Sequence, residues 1–142
     1  MSTANRGKKA EGIFHKWATS RSDSQANFCF HRYPDRRSGS FSPVPADFEA
    51  VQGAMHFLVE VKEVEHAYRL PFKNFTPDKV ARARKFQLAG SQAYVLILST
   101  STGKWRVITV EWLFENKGEG GSWDLRSFPE KTFNEAVSEI FD

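Results

Sequence analysis

The strongest constraint on the fold of this chain is an uninterrupted apolar run over residues 93–99, with turn-forming residues on both sides. The run has the length of a strand, and a strand that is apolar on both faces lies inside a sheet whose two faces are covered. Helices are the elements that cover such a sheet. The run therefore predicts an α/β fold with a central sheet.

Hydrophobic spacing and turn residues place the other elements around this strand. Apolar residues at helical spacing predict a helix over residues 6–20, and Thr76, Pro77 and Asp78 are typical of a helix start that leads to a stop at Gly90. The remaining predictions are strands at 27–33, 47–51, 55–64, 93–99 and 104–113, a flexible Gly-rich loop at 116–122, and a closing helix at 129–141. The expected architecture is a mixed sheet of about five strands flanked by helices.

Length and composition are those of one globular domain. With 142 residues, of which 40% are hydrophobic, the chain can close a single core, so residues 1–142 are interpreted as one domain with a Pro-, Ser- and Arg-rich loop at 34–46. The lone cysteine, Cys29, excludes an internal disulfide and favours a reducing compartment. No apolar run approaches the roughly 20 residues of a membrane helix, and we expect a cytoplasmic protein.

Basic residues are clustered along the chain. The formal net charge of +3 and the pI near 9.1 are modestly basic and suit an anionic partner. Clusters occur at residues 6–16, 32–37 and 79–85. If they share one face, they form a phosphate-binding surface whose affinity falls as salt rises. Ordinary solvated charge explains any single cluster equally well.

Two charged residues interrupt the predicted strand at 55–64. Because side chains alternate along a strand, Glu60 and Lys62 lie on one face, with Val61 turned away between them. Asp47 comes from the neighbouring strand of the same predicted hairpin. Two carboxylates can bind Mg²⁺, which activates water and neutralises a phosphoryl group, and a lysine can act on the attacking water or the phosphate. Taken alone, an acid two residues before a lysine is also common on any solvated strand face.

The order of these motifs resembles that of the RecU-type Holliday junction resolvases, members of the PD-(D/E)xK nuclease superfamily. Residues 5–7 (Asn-Arg-Gly) followed by Glu11 look like the family's opening helix. Asp47 followed by residues 60–63 (Glu-Val-Lys-Glu) is similar to the family's Asp and Glu-Ala-Lys-Glu at about the same interval. Residues 70–75 (Leu-Pro-Phe-Lys-Asn-Phe) resemble the family's Phe-Pro-Leu-Lys-Asn-Phe segment.

The resemblance implies a restriction-endonuclease-like fold and a site for Mg²⁺, for which Mn²⁺ is expected to substitute. Asp47 and Glu60 would bind the ion, with the Val61 carbonyl and Glu11 as further ligands. Lys62 would be catalytic together with Asp47, Glu60 and Glu11. The candidate DNA contacts are Arg6, Arg36, Arg37, Lys73, Asn74 and Lys79.

The implied activity is Mg²⁺-dependent hydrolysis of branched DNA, with paired cuts that resolve Holliday junctions and therefore a homodimer. Two departures from the family pattern concern the DNA: Lys79 stands where the family has a Gln, and only about residues 34–45 replace a long insertion that enters the junction. A small enzyme of this kind is expected to act in the cytoplasm, and a phage-encoded one in the cytoplasm of its bacterial host.

Two alternatives remain open from the sequence. The first is a repair or restriction-type PD-(D/E)xK nuclease that prefers duplex or other DNA. The second is a non-catalytic DNA-binding module that has kept the fold and the basic surface. Cutting assays on branched and linear DNA separate all three readings, because a binding module cuts neither.

Overall fold

A computed structural model describes residues 8–33, 45–117 and 120–142 of the chain. Its elements, in chain order, are α1 (Lys8–Ser24), β1 (Phe28–Arg32), β2 (Phe48–Gln52), β3 (Met55–Val64), β4 (Arg69–Pro71), α2 (Pro77–Leu88), β5 (Gln92–Ser99), β6 (Lys104–Thr109), α3 (Val110–Glu115), β7 (Ser122–Asp124) and α4 (Phe133–Phe141). Residues 34–44, which make up most of the predicted loop at 34–46, lie outside the described residues.

The five-stranded sheet has the order β1-β2-β3-β5-β6. Strands β3 and β5 are parallel and the other neighbours are antiparallel, so the predicted mixed sheet is confirmed. The predicted hairpin is present, with Gly53 at a φ of 61° in its turn. Strand β5, which contains the apolar run, lies between β3 and β6 and is almost fully buried, as a central strand should be.

Helices cover both faces of the sheet. On one face, Phe14 of α1 packs against Phe48 of β2 with ring centroids 4.7 Å apart, and Phe141 of α4 lies 4.8 Å from Phe57 of β3. On the other face, α2 and α3 bury Val80 and other apolar side chains against β5. Two hydrophobic cores therefore form on opposite sides of the sheet.

Helix α2 begins and ends where the sequence predicts. The Thr76 hydroxyl accepts a hydrogen bond from the Lys79 N–H at 3.3 Å, Pro77 occupies the first turn, and the chain turns away at Gly90 with a φ of 119°. Among the helices of the described ranges, none has the length and hydropathy needed to cross a membrane.

Several elements differ from the sequence-based predictions, among them α1, which continues to Ser24 rather than ending at 20. The strand predicted over 104–113 ends at Thr109, whose hydroxyl accepts the Trp112 N–H at 3.1 Å and caps helix α3. The short strands β4 and β7 pair as a separate two-stranded sheet, and β7 begins at the end of the predicted loop at 116–122. The closing helix begins at Phe133 rather than at 129, because Thr132 and Glu135 form a capping box.

Candidate active site

The β2–β3 register places Asp47 beside the middle of β3. Phe48 is paired with Val59, so Asp47, immediately before β2, stands opposite Glu60. The Asp47 backbone carbonyl accepts the Tyr33 N–H at 2.9 Å, and its side-chain Oδ2 accepts the Val61 N–H at 2.9 Å. Main chain and carboxylate are thus each held by a neighbouring strand, which fixes the direction of the carboxylate.

Glu60 is buried beside Asp47 in the middle of β3. Only 6% of the residue is exposed. Burial first, and then the Asp47 carboxylate, raise the pKa of Glu60 to about 8, although the Lys62 ammonium acts in the opposite direction. In its protonated form Glu60 donates a hydrogen bond to Asp47. Two neighbouring carboxyl groups, of which Glu60 is buried, favour binding of a proton or a cation between them.

Lys62 completes this group from the same face of β3. Its Nζ lies 3.1 Å from Glu60 Oε1, and its side chain is 20% exposed. Burial lowers the pKa of Lys62, but the Glu60 and Asp47 carboxylates more than offset this and the net pKa is raised. The ammonium also lies 5.9 Å from the centre of the Phe75 ring. Phe75 is the last residue of the segment at 70–75 and is buried, so the end of this segment lies beside the lysine.

Glu11 approaches the same group from α1. Burial raises the pKa of Glu11, and the nearby Asp47 carboxylate adds to that effect, while Arg32 and Lys62 lower it. Glu11 Oε2 accepts a hydrogen bond from Arg32 Nη2 at 3.1 Å. The structure therefore brings Glu11, Asp47, Glu60 and Lys62 into electrostatic contact.

The donor set fits Mg²⁺ as a partial ligand sphere. Within the described residues, no group of three or more His, Cys, Asp and Glu side chains could hold a metal ion alone. Mg²⁺ is usually bound by one or two carboxylates together with water and substrate phosphate, so Asp47 and Glu60 suffice for the protein's share. The Val61 carbonyl faces the same side of β3 as its N–H, which points at Asp47, and it could add a third oxygen.

The predicted DNA contacts are only partly covered by the described residues. Lys73 is exposed, and Lys79 is exposed in the first turn of α2. Asn74 is half-buried, and its backbone N–H donates to the Pro71 carbonyl at 3.0 Å, which fixes the turn before α2. Arg6, Arg36 and Arg37 lie outside the described residues.

Two features were missed by the analysis of the sequence. Arg32 was noted only within a basic cluster, and its contact with Glu11 bridges 21 positions of sequence, so no local pattern marks it. A hydrogen-bonded chain also joins three polar side chains on the sheet: His56 Nε2 lies 3.0 Å from Glu49 Oε2, and His56 Nδ1 lies 2.7 Å from Ser91 Oγ. This chain ties the β2–β3 hairpin to the start of β5.

Comparison with solved structures identifies a similar fold. The structure of Hjc, a Holliday junction resolvase from the archaeal hyperthermophile Archaeoglobus fulgidus, matches with a TM-score of 0.62 and 21% sequence identity, over 94% of this chain and 98% of that one. No family model and no curated protein matches the chain. At this identity the likeness concerns the fold, which the chain shares with the archaeal resolvase, and does not single out the RecU type.

Proposed function

We propose that this protein is a Mg²⁺-dependent, structure-selective endonuclease that resolves Holliday junctions. The observation that carries the proposal is the convergence of Asp47 and Lys62 on the buried Glu60, since a purely structural core rarely places two acids in contact. Overlap of the fold with that of an archaeal Holliday junction resolvase supports the same class of activity.

Each residue of the group has a distinct role in this proposal. Asp47 and Glu60 bind the ion, and Glu60 must first release the proton that its raised pKa favours. When bound, Mg²⁺ would supply an acidified water and positive charge next to the phosphoryl group. Lys62 remains an ammonium and stabilises the negative charge that develops on the attacking or phosphoryl oxygen.

Strand β3 and residues next to the other strands hold these groups in place. Asp47 accepts hydrogen bonds from the Tyr33 and Val61 N–H groups. Lys62 is held by its ion pair with Glu60 and by the neighbouring Phe75 ring. Groups fixed in this way need little reorganisation when the phosphate arrives. Lys73 and Lys79, which are exposed at the turn into α2 and in its first turn, are proposed to contact the DNA backbone.

Junction resolution further requires two coordinated cuts in different strands. We therefore infer a homodimer in which each subunit supplies one site. Light scattering of the purified protein, alone and with a four-way junction, measures the assembly directly. If the protein stays a monomer on the junction, the paired-cut mechanism is wrong. Single cuts by such a monomer would still show nuclease activity.

The decisive experiment is cleavage of three labelled substrates: a four-way junction, a nicked duplex and a linear duplex, each with Mg²⁺ or with chelator. Resolvase activity gives symmetric cuts in the junction, with Mg²⁺ only, and far slower cutting of linear duplex. Equal cutting of the linear duplex would indicate a repair or restriction-type nuclease instead. Binding without any cutting would indicate a DNA-binding module.

Matched variants link the activity to the site. Lys62→Ala is expected to lower the cleavage rate at least about a hundredfold, while DNA binding in chelator changes little. Arg126→Ala removes a cation from an exposed ion pair with Asp124 and serves as the control for loss of one positive charge. Loss of cutting in the control to the same extent would show that charge, rather than the site, explains the effect.

A further inference from the structure

Arg32 lies where β1, β2 and α1 meet. It is the last residue of β1, and its register partner on β2 is Phe48, the residue directly after Asp47. Its guanidinium carbon lies 5.8 Å from the centre of the Phe48 ring, and its Nη2 lies 3.1 Å from Glu11 Oε2. Arg32 therefore links helix α1 to the end of the sheet that carries Asp47.

Glu11 needs a fixed partner in order to stay beside Asp47. The two carboxylates repel one another, as the raised pKa of Glu11, caused first by burial and then by Asp47, indicates. The helix itself is anchored by Phe14, which packs on Phe48, but this contact fixes the backbone and not the Glu11 side chain. Without a cation on its outer side, the Glu11 carboxylate gains by turning toward solvent, away from Asp47.

Arginine suits this task better than lysine. Its planar guanidinium can stack on an aromatic ring and donate to a carboxylate in the same fixed orientation. The Arg32 side chain is 47% exposed, so its ion pair with Glu11 contributes little to folding stability. A contact that matters little for folding, but holds a carboxylate near Asp47, is expected to act on the site.

We propose that Arg32 is a positioning residue that keeps the Glu11 carboxylate facing Asp47, so that the negative charge of Glu11 favours a cation at the Asp47–Glu60 pair. This inference rests on the proposed metal-dependent function. Arg32 acts through Glu11 and contacts neither the ion nor the phosphate. Its removal therefore affects the site only as far as Glu11 is displaced.

Calcium binding tests the inference without cleavage. Isothermal titration with Ca²⁺ is carried out on the wild type, Arg32→Ala, Arg32→Lys, Glu11→Gln, the Arg32→Ala/Glu11→Gln double variant and Arg126→Ala. Arg32→Ala is expected to weaken Ca²⁺ binding about tenfold, as loss of a group that acts on a metal site without binding the ion does. Arg32→Lys should recover part of this loss, and the double variant should bind no more weakly than Glu11→Gln alone.

The sign of the effect separates positioning from simple electrostatics. If Arg32 only added positive charge near the acids, its removal would tighten Ca²⁺ binding, which would overturn the inference. If the two single effects multiply in the double variant, Arg32 acts independently of Glu11 and the inference is wrong. If Arg32→Ala binds the junction more weakly in chelator, Arg32 acts on the DNA, which would also overturn the inference.

The controls distinguish this inference from the proposed function. Arg126→Ala should bind Ca²⁺ like the wild type, and all variants should unfold at similar temperatures. If the wild type itself binds no Ca²⁺ and cuts no DNA, both the function and the inference fail. If the wild type and Glu11→Gln behave as expected but Arg32→Ala binds like the wild type, only the role of Arg32 is wrong.

Discussion

The Asp47 carboxylate accepts a hydrogen bond from the backbone N–H of Val61 at 2.9 Å. The pairing of β2 with β3 ends at Phe48 and Val59, so at Val61 the side chain of Asp47 takes the place of a β2 main-chain acceptor. One side chain therefore completes the hydrogen bonding of a central strand and also faces Glu60. The same contact serves folding and, in the proposed function, cation binding. Substitutions of Asp47 can separate the two roles.

Asp47→Asn and Asp47→Ala should both abolish cutting but differ in stability. Asparagine retains a carbonyl oxygen that can accept the Val61 N–H, so the folded state should be nearly as stable as the wild type. Alanine leaves that N–H without an acceptor, which costs about 1–3 kcal/mol. Urea denaturation measures the difference, and equal stability of the two variants would show that the hydrogen bond contributes nothing.

The raised pKa of Glu60 predicts how metal binding depends on pH. The folded protein holds the Glu60 proton up to a pKa of about 8, whereas the unfolded chain releases it near the ordinary 4.5. The contribution of this proton to stability is therefore complete below the unfolded pKa and is lost as pH rises through the folded pKa. Because a cation must displace the proton, Mg²⁺ should bind more tightly as pH rises across this window.

Thermal unfolding with and without Mg²⁺ checks this dependence. The increase in melting temperature caused by Mg²⁺ should be larger at about pH 9 than at about pH 6, since a ligand stabilises the folded state more when it binds more tightly. Glu60→Gln should remove most of the increase at both pH values. An increase in the wild type that is independent of pH would mean that Glu60 does not bind the ion.

Removal of the Lys62 ammonium should destabilise the protein in a pH-dependent way. In Lys62→Met the apolar volume is largely kept, but the buried Glu60 loses its cation 3.1 Å away. Near pH 6 Glu60 can remain protonated and the loss should be small. At about pH 9, one unit above the pKa of about 8, the wild type gains from ionisation of Glu60, whereas the variant must keep the carboxyl protonated, and the cost should rise by about 1.4 kcal/mol at most.

Denaturant titrations of Lys62→Met and the wild type at both pH values measure this cost. The exposed pair of Arg126 with Asp124 provides the comparison, because Arg126→Ala should cost less than about 1 kcal/mol at either pH. A pH-independent loss in Lys62→Met would indicate lost packing against Phe75 rather than an unpaired Glu60.

The proposed DNA contacts at Lys73 and Lys79 predict the salt dependence of junction binding. Each of Lys73→Ala and Lys79→Ala should weaken binding in chelator and reduce the slope of log affinity against log salt by about 1. Lys16→Ala, exposed on α1, is the matched control. A slope reduced equally by the control would mean that the protein's overall charge, and not these two positions, determines binding.

Local sequence patterns determined much of the fold. The apolar run at 93–99 predicted the central strand, and Thr76 with Pro77 predicted the start of α2, because periodicity and capping act over a few residues. Thr109 shows the limit of this reasoning. Its side chain suits strand alternation and also caps α3, and the hydrogen bond to the Trp112 N–H decides between the two.

The sequence also placed Glu60 and Lys62 on one strand face, since alternation alone fixes that relationship. It could not show that Glu60 is buried, that Asp47 is held by Val61, or that Arg32 reaches Glu11. Burial and long-range contact depend on how the strands and α1 pack. Their electrostatic effects, including the raised pKa of Glu60, arise only where that packing removes water from neighbouring charges.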